Sequence, residues 1–230
     1  MNRVAAKHLG RARPGGRGIV PVLLAAALLM AGCASPRTLL SRRAAAGDYA
    51  PANVAAEPAL PADLRRVAVL PVHGPGESER AAIALDPVVA VALQRQARFE
   101  VVTVSRADCR RWFGAPSFAS TGALPHDLLA EIARRHQADA VLFVDLTAER
   151  SYRPLLLGLR AKLATARDTR IVWAVDEIVS ADQPAVAAGM SRAAASTKGS
   201  VSATILDSIQ SPSRFAAYVS DALFRTLPPR

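Results

Sequence analysis

Cys33 is the residue whose surroundings point most directly to chemistry. An apolar run from Ile19 to Gly32 precedes it, and two small residues stand directly before the thiol. Five basic side chains and no acidic one lie upstream of this run. That order of basic, apolar and small residues is typical of a secretory signal peptide. The run is shorter than the roughly 20 residues that a helix needs to cross a bilayer, which argues against a permanent transmembrane helix.

The segment Leu29-Met30-Ala31-Gly32-Cys33 resembles the lipobox of bacterial lipoprotein signals. The resemblance implies cleavage before Cys33, diacylation of its sulfur and acylation of its new amino group by a fatty acid such as palmitate. Two or three acyl chains hold a protein on a membrane essentially permanently. Ala34 follows, not the aspartate that this pathway reads as inner-membrane retention. The resemblance therefore implies a lipid anchor in the outer membrane, with the chain facing the periplasm.

The charge balance gives little support to a nucleic-acid partner. The first 32 residues carry five of the 29 Lys and Arg and none of the 19 Asp and Glu, so the remainder has a net charge of +5 rather than +10. The remaining basic residues are nearly all arginines, and the few adjacent arginine pairs are scattered along the chain. Nucleic-acid binding favours clustered bases interleaved with aromatic residues. We therefore expect no nucleic acid among the partners.

Cys109 is the second of the two cysteines. Acylation of Cys33 would leave it as the single thiol, so no disulfide would close within the mature chain. Without acylation, a Cys33–Cys109 bridge would become possible in an oxidising periplasm. The arginines beside Cys109 could lower the pKa of its thiol and make it reactive, but we expect a half-buried structural cysteine rather than a catalytic one.

The usual catalytic and metal-binding patterns do not occur. His73-Gly-Pro-Gly76 lacks the spacing of a phosphate-binding loop, no serine stands in a GxSxG elbow, and the histidines lack the spacing of a metal centre. Asp176 and Glu177 should point to opposite faces of a strand, so they are poorly placed to cooperate. Asp145, late in a buried strand, is the one acid whose setting could perturb its pKa, but we expect it to be a capped or exposed residue at the strand end. We expect no catalytic residues, no metal and no cofactor.

The hydrophobic pattern predicts three regions: a signal peptide (1–32), a lipidated tether (33–64) and a single domain (65–230). Apolar runs at 66–72, 99–104 and 138–146 predict strands. Helices are predicted between them, one starting with Asp86 as N-cap and carrying Val88, Val91 and Ala92 inward, and one from Pro125 to His136. The 105–123 connection is expected to be irregular.

A change of pattern follows the third strand. Strict alternation over 155–163 and a second run at 171–175 predict an antiparallel hairpin. Asp182 and Ser211 each precede a predicted helix, and 196–210 has no clear assignment. The prediction is an α/β fold: one three-layer-like domain with a mixed sheet of about five strands, βαβαβ and then the hairpin, flanked by helices.

The predicted order of elements resembles a superfamily of periplasmic lipoproteins. It includes the curli-export lipoprotein, the lipoprotein activator of penicillin-binding proteins and the amino-terminal domain of the Tol-system propeller protein. The residues that carry the resemblance are Val67-Ala-Val-Leu-Pro71, Phe99-Glu-Val-Val102, Ala138-Asp-Ala-Val-Leu142, Tyr152-Arg-Pro-Leu-Leu-Leu-Gly-Leu-Arg160 and Ile171-Val-Trp-Ala-Val-Asp176. The resemblance implies a non-catalytic adaptor or activator that docks on an envelope protein.

The predicted docking surface combines exposed-looking aromatic residues and arginines, which interface cores favour. Trp112 and Phe113 come from the 105–123 connection, and Tyr152 and Arg153 precede the hairpin. The alternative is that these aromatic residues cover the edge of the sheet. Two other functions remain open at this point: a small periplasmic hydrolase, and a structural subunit of an envelope or secretion complex.

Overall fold

The computed structural model describes residues 49–74, 76–196 and 211–230. The predicted signal peptide, Cys33, the first part of the predicted tether and residues 197–210 lie outside the described residues.

One mixed sheet organises the described chain, in the strand order β1-β6-β5-β4-β2-β3. The elements are β1 (Val54–Ala56), β2 (Arg66–Val69), α1 (Glu79–Arg95), β3 (Glu100–Thr103), α2 (Arg106–Phe113), α3 (Leu128–His136), β4 (Ala140–Arg150), β5 (Leu156–Thr165), β6 (Ile171–Ser180), α4 (Pro184–Ser196) and α5 (Pro212–Phe224). β2 pairs in parallel with β3 and β4, whereas β5 and β6 form the predicted antiparallel hairpin. The α/β class with a mixed sheet is confirmed, with six described strands instead of about five.

The additional strand, β1, comes from the segment predicted as tether. It pairs antiparallel with β6, with Ala55 opposite Ala174. Leu60 and Leu64, which follow it, are buried in the core, and the Leu60 amide donates to the Pro229 carbonyl. The domain therefore begins before the predicted boundary at 65. Three residues are too few to show an alternating pattern in the sequence, so this strand depends on its pairing with β6.

Helix α1 begins at Glu79, and the prediction that it starts after Asp86 is wrong. Pro87 lies inside the helix, where it removes the hydrogen bond to the carbonyl four residues earlier. That residue is Ile83, which is exposed, so water can reach the carbonyl. The buried face of the helix also differs from the prediction: Val89, Ala92 and Leu93 are buried, whereas Val91 is 45% exposed instead of facing the core.

The side chain of Asp86 has a different role from the predicted N-cap. It accepts a hydrogen bond from the Val72 amide and a pair of bonds from Arg106. Arg106 also donates to the Val72 carbonyl at 2.7 Å. The network connects α1, the end of β2 and the start of α2, and it fixes how the helices leave the sheet.

The 105–123 connection contains helix α2, which the sequence analysis missed. The Ser105 hydroxyl accepts a hydrogen bond from the Asp108 amide and caps the helix. Gly114 ends it in a left-handed conformation, with φ of 80°, where glycine carries no steric penalty. With only eight residues, three of them arginines, α2 gives almost no apolar periodicity.

Helices cover both faces of the sheet, as the three-layer prediction requires. On the first face, α1, α4 and α5 pack against inward residues of β2, β4, β5 and β6. The predicted core positions of α5, namely Phe215, Val219, Ala222 and Leu223, are all buried. On the second face, α2 and α3 pack against Ala68, Leu70, Val141 and Phe143.

Candidate docking site

The second face of the sheet is covered over only part of its width. β5 contributes only Ala164 to the core beneath α2 and α3, and neither β6 nor β1 contributes any residue. Within the described residues, the second face of β5 and β6 therefore carries no helix. We call this area the open face, and its side chains are Arg160, Lys162, Ala174, Asp176 and Ile178.

A cross-strand ion pair occupies the middle of the open face. Arg160 and Asp176 are directly opposite each other on β5 and β6. The Nε and Nη2 atoms of Arg160 lie 2.8 and 2.7 Å from the same oxygen of Asp176. Roughly a third of each side chain is exposed, and such pairs add only about 0–1 kcal/mol to stability. The pair is therefore mainly a surface feature.

The apolar part of the open face is Ile178, which is 54% exposed. Its direct neighbour on β5 is Gly158, which has no side chain to cover it. A Cβ at Gly158 would lie 2.6 Å from the Thr147 hydroxyl and 2.9 Å from the Ala148 amide. The irregularity of β4 at this point thus demands glycine on β5, and the glycine leaves Ile178 without a cross-strand partner.

Tyr152 and Arg153 lie in the connection between β4 and β5. Tyr152 is 74% exposed, and the Arg150 guanidinium lies 5.8 Å from its ring centroid. This connection is at the same end of the sheet as Ile178, because Leu156 pairs with both Arg150 and Ser180. An exposed aromatic residue beside arginines is a common centre of protein interfaces.

Trp112 and Phe113 lie elsewhere, so the structure does not bring the four predicted docking residues together. Both are half-buried and pack against the core beneath α2 and α3. The Trp112 ring lies 5.8 Å from His136, which precedes the first residue of β4, whereas Tyr152 follows the last. The eleven residues of β4 separate these positions by roughly 33 Å.

Asp145 is a buried residue that attaches a loop to the sheet. It is 5% exposed. One carboxylate oxygen accepts the Ser120 amide at 2.9 Å, and the other accepts the Ser120 hydroxyl at 2.6 Å. Lys162 donates to the carbonyl of the same serine at 3.0 Å. The 114–127 loop therefore covers the second face of the sheet only as far as Lys162, and the open face starts there.

His73 and Asp145 are neighbours, but they do not form a catalytic relay. The backbone of His73 pairs with that of Asp145 in β4. The Nδ1 atom of His73 lies 3.1 Å from the Ser117 hydroxyl. In a Ser-His-Asp triad the carboxylate orients the imidazole. Here both Asp145 oxygens accept hydrogen bonds from Ser120 instead. The geometry gives the hydrolase interpretation no nucleophile with an oriented base.

Cys109 is fully buried in α2. Burial, with a smaller contribution from the nearby Asp108 carboxylate, raises the pKa of its thiol from 9.0 to about 11, and Arg106 only partly offsets the rise. This burial favours the interpretation of Cys109 as a structural cysteine over that of a reactive thiol.

Glu177 attaches the start of the domain to β6. Its carboxylate accepts hydrogen bonds from the amides of Ala52 and Asn53 at 3.0 and 3.1 Å. Burial and the Glu177 charge hold the pKa of Tyr49 above its usual range. Asp176, the preceding residue, pairs with Arg160 on the open face, so the two acids point to opposite faces as predicted.

Among the described residues, no group of three or more His, Cys, Asp or Glu side chains is arranged to hold a metal ion. No described helix combines the length and apolar character of a membrane span.

Neither a family model nor a curated protein matches the sequence. Solved structures do resemble the fold. PelC from Paraburkholderia phytofirmans, a dodecamer, is 14% identical over 77% of this chain and 96% of its own, with a TM-score of 0.46. The LpoB C-terminal domain from Escherichia coli is 20% identical over 51% of this chain and 83% of its own, with a TM-score of 0.32. TolB from Acinetobacter baumannii is 16% identical over 60% of this chain and 28% of its own, with a TM-score of 0.30. LpoB and TolB belong to the superfamily that the sequence resembles.

Sequence reasoning missed Ile178 and Ser120. The alternation in β6 shows that Ile178 and Val179 face opposite sides, but it does not show which side lacks a helix. Ser120 stands in a loop without periodicity, and its proximity to Asp145 depends on tertiary packing. Gly158, inside a predicted strand, was the one signal in the sequence for this part of the site. Glycine within a strand often marks a close approach of another backbone.

Proposed function

We propose that this chain is a non-catalytic adaptor or activator of the bacterial cell envelope. Acyl chains on Cys33 anchor it in the outer membrane, and the residues before Tyr49 act as the tether. The α/β domain faces the periplasm and docks on an envelope protein. The resemblance of Leu29–Cys33 to a lipobox supports the anchor.

The observation that carries the docking part of the proposal is the open face. Ile178 and Tyr152 are the two most exposed of the large apolar and aromatic side chains described, and both lie at one end of β5 and β6. The Arg150 guanidinium lies 5.8 Å from the Tyr152 ring centroid, and the Arg160–Asp176 pair lies next to Ile178 along β5 and β6. An apolar centre with a polar rim is the usual composition of a protein interface. We therefore place the partner at this end of the open face.

Site-specific photo-crosslinking in living cells tests the proposal. A photoreactive side chain at 178 or at 152 is expected to capture the same envelope protein. Position 83 is a matched control, because Ile83 is 48% exposed but belongs to α1, on the other face of the sheet. Capture from 152 should disappear when Ile178→Asp is also present, because the charge would be buried in the interface.

Purification of the captured protein allows the affinity to be measured directly. Ile178→Asp is expected to weaken binding by at least tenfold, as is common for residues at an interface centre, whereas Ile83→Asp should leave it unchanged. Equal capture from 83 and 178, or undiminished binding by Ile178→Asp, would contradict docking through the open face.

A further inference from the structure

A basic patch forms where the carboxyl ends of α2 and α3 meet. Arg110 and Arg111 lie in the last turn of α2, and Arg134 and Arg135 lie in the last turn of α3. The Trp112 ring connects the two helices, since the Arg135 guanidinium lies 4.3 Å from its centroid. We call these four arginines and Trp112 the basic patch.

The basic patch carries more positive charge than its neighbours neutralise. Asp108 pairs with Arg111, and Glu131 pairs with both Arg134 and Arg135. No carboxylate of the described residues forms an ion pair with Arg110, which is exposed. Four guanidinium groups thus face two carboxylates.

Stabilisation of the helix ends accounts for only part of this charge. Each helix carboxyl end carries about half a negative charge, which basic residues in the last turn offset. Two such ends add up to about one negative charge, so about one positive charge remains uncompensated. The arginine side chains are also well exposed, with 69% for Arg111 and 68% for Arg134. The surplus is therefore available to a ligand in solution.

Trp112 adds an interfacial residue to this charge. Its indole is half-buried, with the Arg111 guanidinium 5.7 Å from the ring centroid in addition to Arg135. Tryptophan and arginine together are typical of surfaces that lie in the headgroup region of a membrane. Neither α2 nor α3 is long enough to insert, so contact would be limited to the headgroups.

We propose that the basic patch binds the anionic phospholipid surface of the membrane that holds the anchor. This inference rests on the lipid anchor of the proposed function. A tethered domain stays at a high effective concentration near the membrane, so a weak affinity for anionic lipid is sufficient. Because the patch and Tyr152 are at opposite ends of β4, membrane contact would leave the open face available to the protein partner.

Tryptophan quenching in vesicles tests the inference on the mature lipidated protein. Trp112 is half-buried, whereas Trp173, the second tryptophan, is 0% exposed. The protein is reconstituted into vesicles of phosphatidylcholine with or without phosphatidylglycerol, each containing a phosphatidylcholine with a nitroxide on its headgroup as quencher. Quenching of Trp112 is expected only with phosphatidylglycerol. Salt at about 1 M should abolish it, because the Debye length falls to about 3 Å.

Two double variants separate this surface from general charge. Arg110→Gln with Arg134→Gln is expected to lower the ratio of membrane-bound to free domain about 30-fold, since each arginine near an anionic surface contributes about fivefold. Arg80→Gln with Arg225→Gln removes the same charge from α1 and the end of α5, on the other sheet face, and should retain the quenching. Arg225 matches Arg134 because it also pairs with an acid on its own helix. Thermal melts of all variants identify any loss that comes from unfolding.

The outcomes distinguish failure of the patch from failure of the anchor. Protein that floats with both vesicle types but shows no quenching overturns the membrane contact and leaves the anchor intact. An equal loss of quenching in both double variants also overturns it, because net charge alone would then explain the effect. Protein that does not float with phosphatidylcholine vesicles shows that the anchor itself is wrong.

Discussion

Asp145 and Ser120 are joined by two hydrogen bonds, one to the backbone amide at 2.9 Å and one to the hydroxyl at 2.6 Å. The carboxylate thus holds the 114–127 loop against the second face of the sheet. Lys162 strengthens the attachment through its bond to the Ser120 carbonyl. This relationship determines how far the sheet is covered, and therefore where the open face starts.

Removal of this carboxylate should destabilise the domain and release the loop. Asp145→Ala is expected to lower the free energy of unfolding by about 3 kcal/mol, because it leaves a buried amide and a hydroxyl without their acceptor. Urea denaturation measures the loss, and hydrogen exchange should show faster exchange in 114–127. Ser117→Ala is the control in the same loop and should cost only about 1 kcal/mol, since its hydroxyl makes a single hydrogen bond, to the imidazole of His73. Equal costs for the two variants would contradict this account.

The Arg106–Asp86 pair should matter more than the ion pairs on the helix surfaces. Their side chains are 17% and 29% exposed, and Arg106 also donates to the Val72 carbonyl. Asp86→Asn is expected to cost about 2 kcal/mol, because it leaves a largely buried guanidinium without its counter-charge. Glu131→Gln, which breaks the exposed pairs of α3, should cost clearly less, because solvent screens exposed pairs. Thermal and urea unfolding of both variants provide the comparison.

Cys109 should make stability depend on alkaline pH. The folded state binds its thiol proton more tightly than the unfolded chain, because burial raises the pKa from 9.0 to about 11. Stability is therefore complete below pH 9 and falls as the pH rises from about 9 to about 11, by roughly 2–3 kcal/mol. Urea unfolding at several pH values measures this loss, which should be smaller by that amount in Cys109→Ala; the part that begins above pH 10 from Tyr49 should remain. A maleimide should react with Cys109 only after unfolding, and rapid labelling of the folded protein would contradict the burial.

The segment after β1 should contribute to the core even though it lies before the predicted domain boundary. Leu64 is 2% exposed, so Leu64→Ala is expected to cost about 3 kcal/mol through lost contacts and a cavity. Leu156→Ala, at a half-buried position of β5, should cost clearly less. Urea unfolding distinguishes the two. A negligible change in the free energy of unfolding in Leu64→Ala would show that this segment belongs to the tether and not to the domain.

Acylation of Cys33 should determine where the protein resides. Cys33→Ser removes the sulfur that would carry the diacylglycerol and is expected to abolish fractionation with the outer membrane. Membrane separation on a density gradient, followed by detection of the protein in each fraction, measures this. Cys109→Ser is the matched control and should leave the distribution unchanged, because its thiol is buried in the domain. Outer-membrane levels equal to those of the unmodified protein in Cys33→Ser would show that the anchor is wrong.

Elements with a long, regular pattern could be predicted from the sequence, and those that depend on distant partners could not. Helix α5 and the β5–β6 hairpin follow from periodicity alone, since every predicted inward residue of α5 is buried. The start of α1 was placed too late because Asp86-Pro87 is a typical helix start, and nothing local reveals that Asp86 instead binds Arg106. β1 has three residues and is defined only by its pairing with β6.

The candidate site follows the same division. Tyr152 and Arg153 could be predicted because an aromatic residue and an arginine beside a turn are commonly exposed. The structure places Trp112 and Tyr152 at opposite ends of β4, a separation that the sequence alone does not show. Ile178 could not be found without the sheet order and the positions of α2 and α3.

The attachment of β1 to β6 also has a mechanical consequence. Any force transmitted from the residues before Tyr49 reaches the sheet first at Glu177, through the amides of Ala52 and Asn53. The force then acts on the three residue pairs between the edge strand β1 and β6, and after them on the buried Leu60 and Leu64. Under tension, β1 would separate from β6 before the core yields, which would expose an unpaired strand edge directly beside the open face.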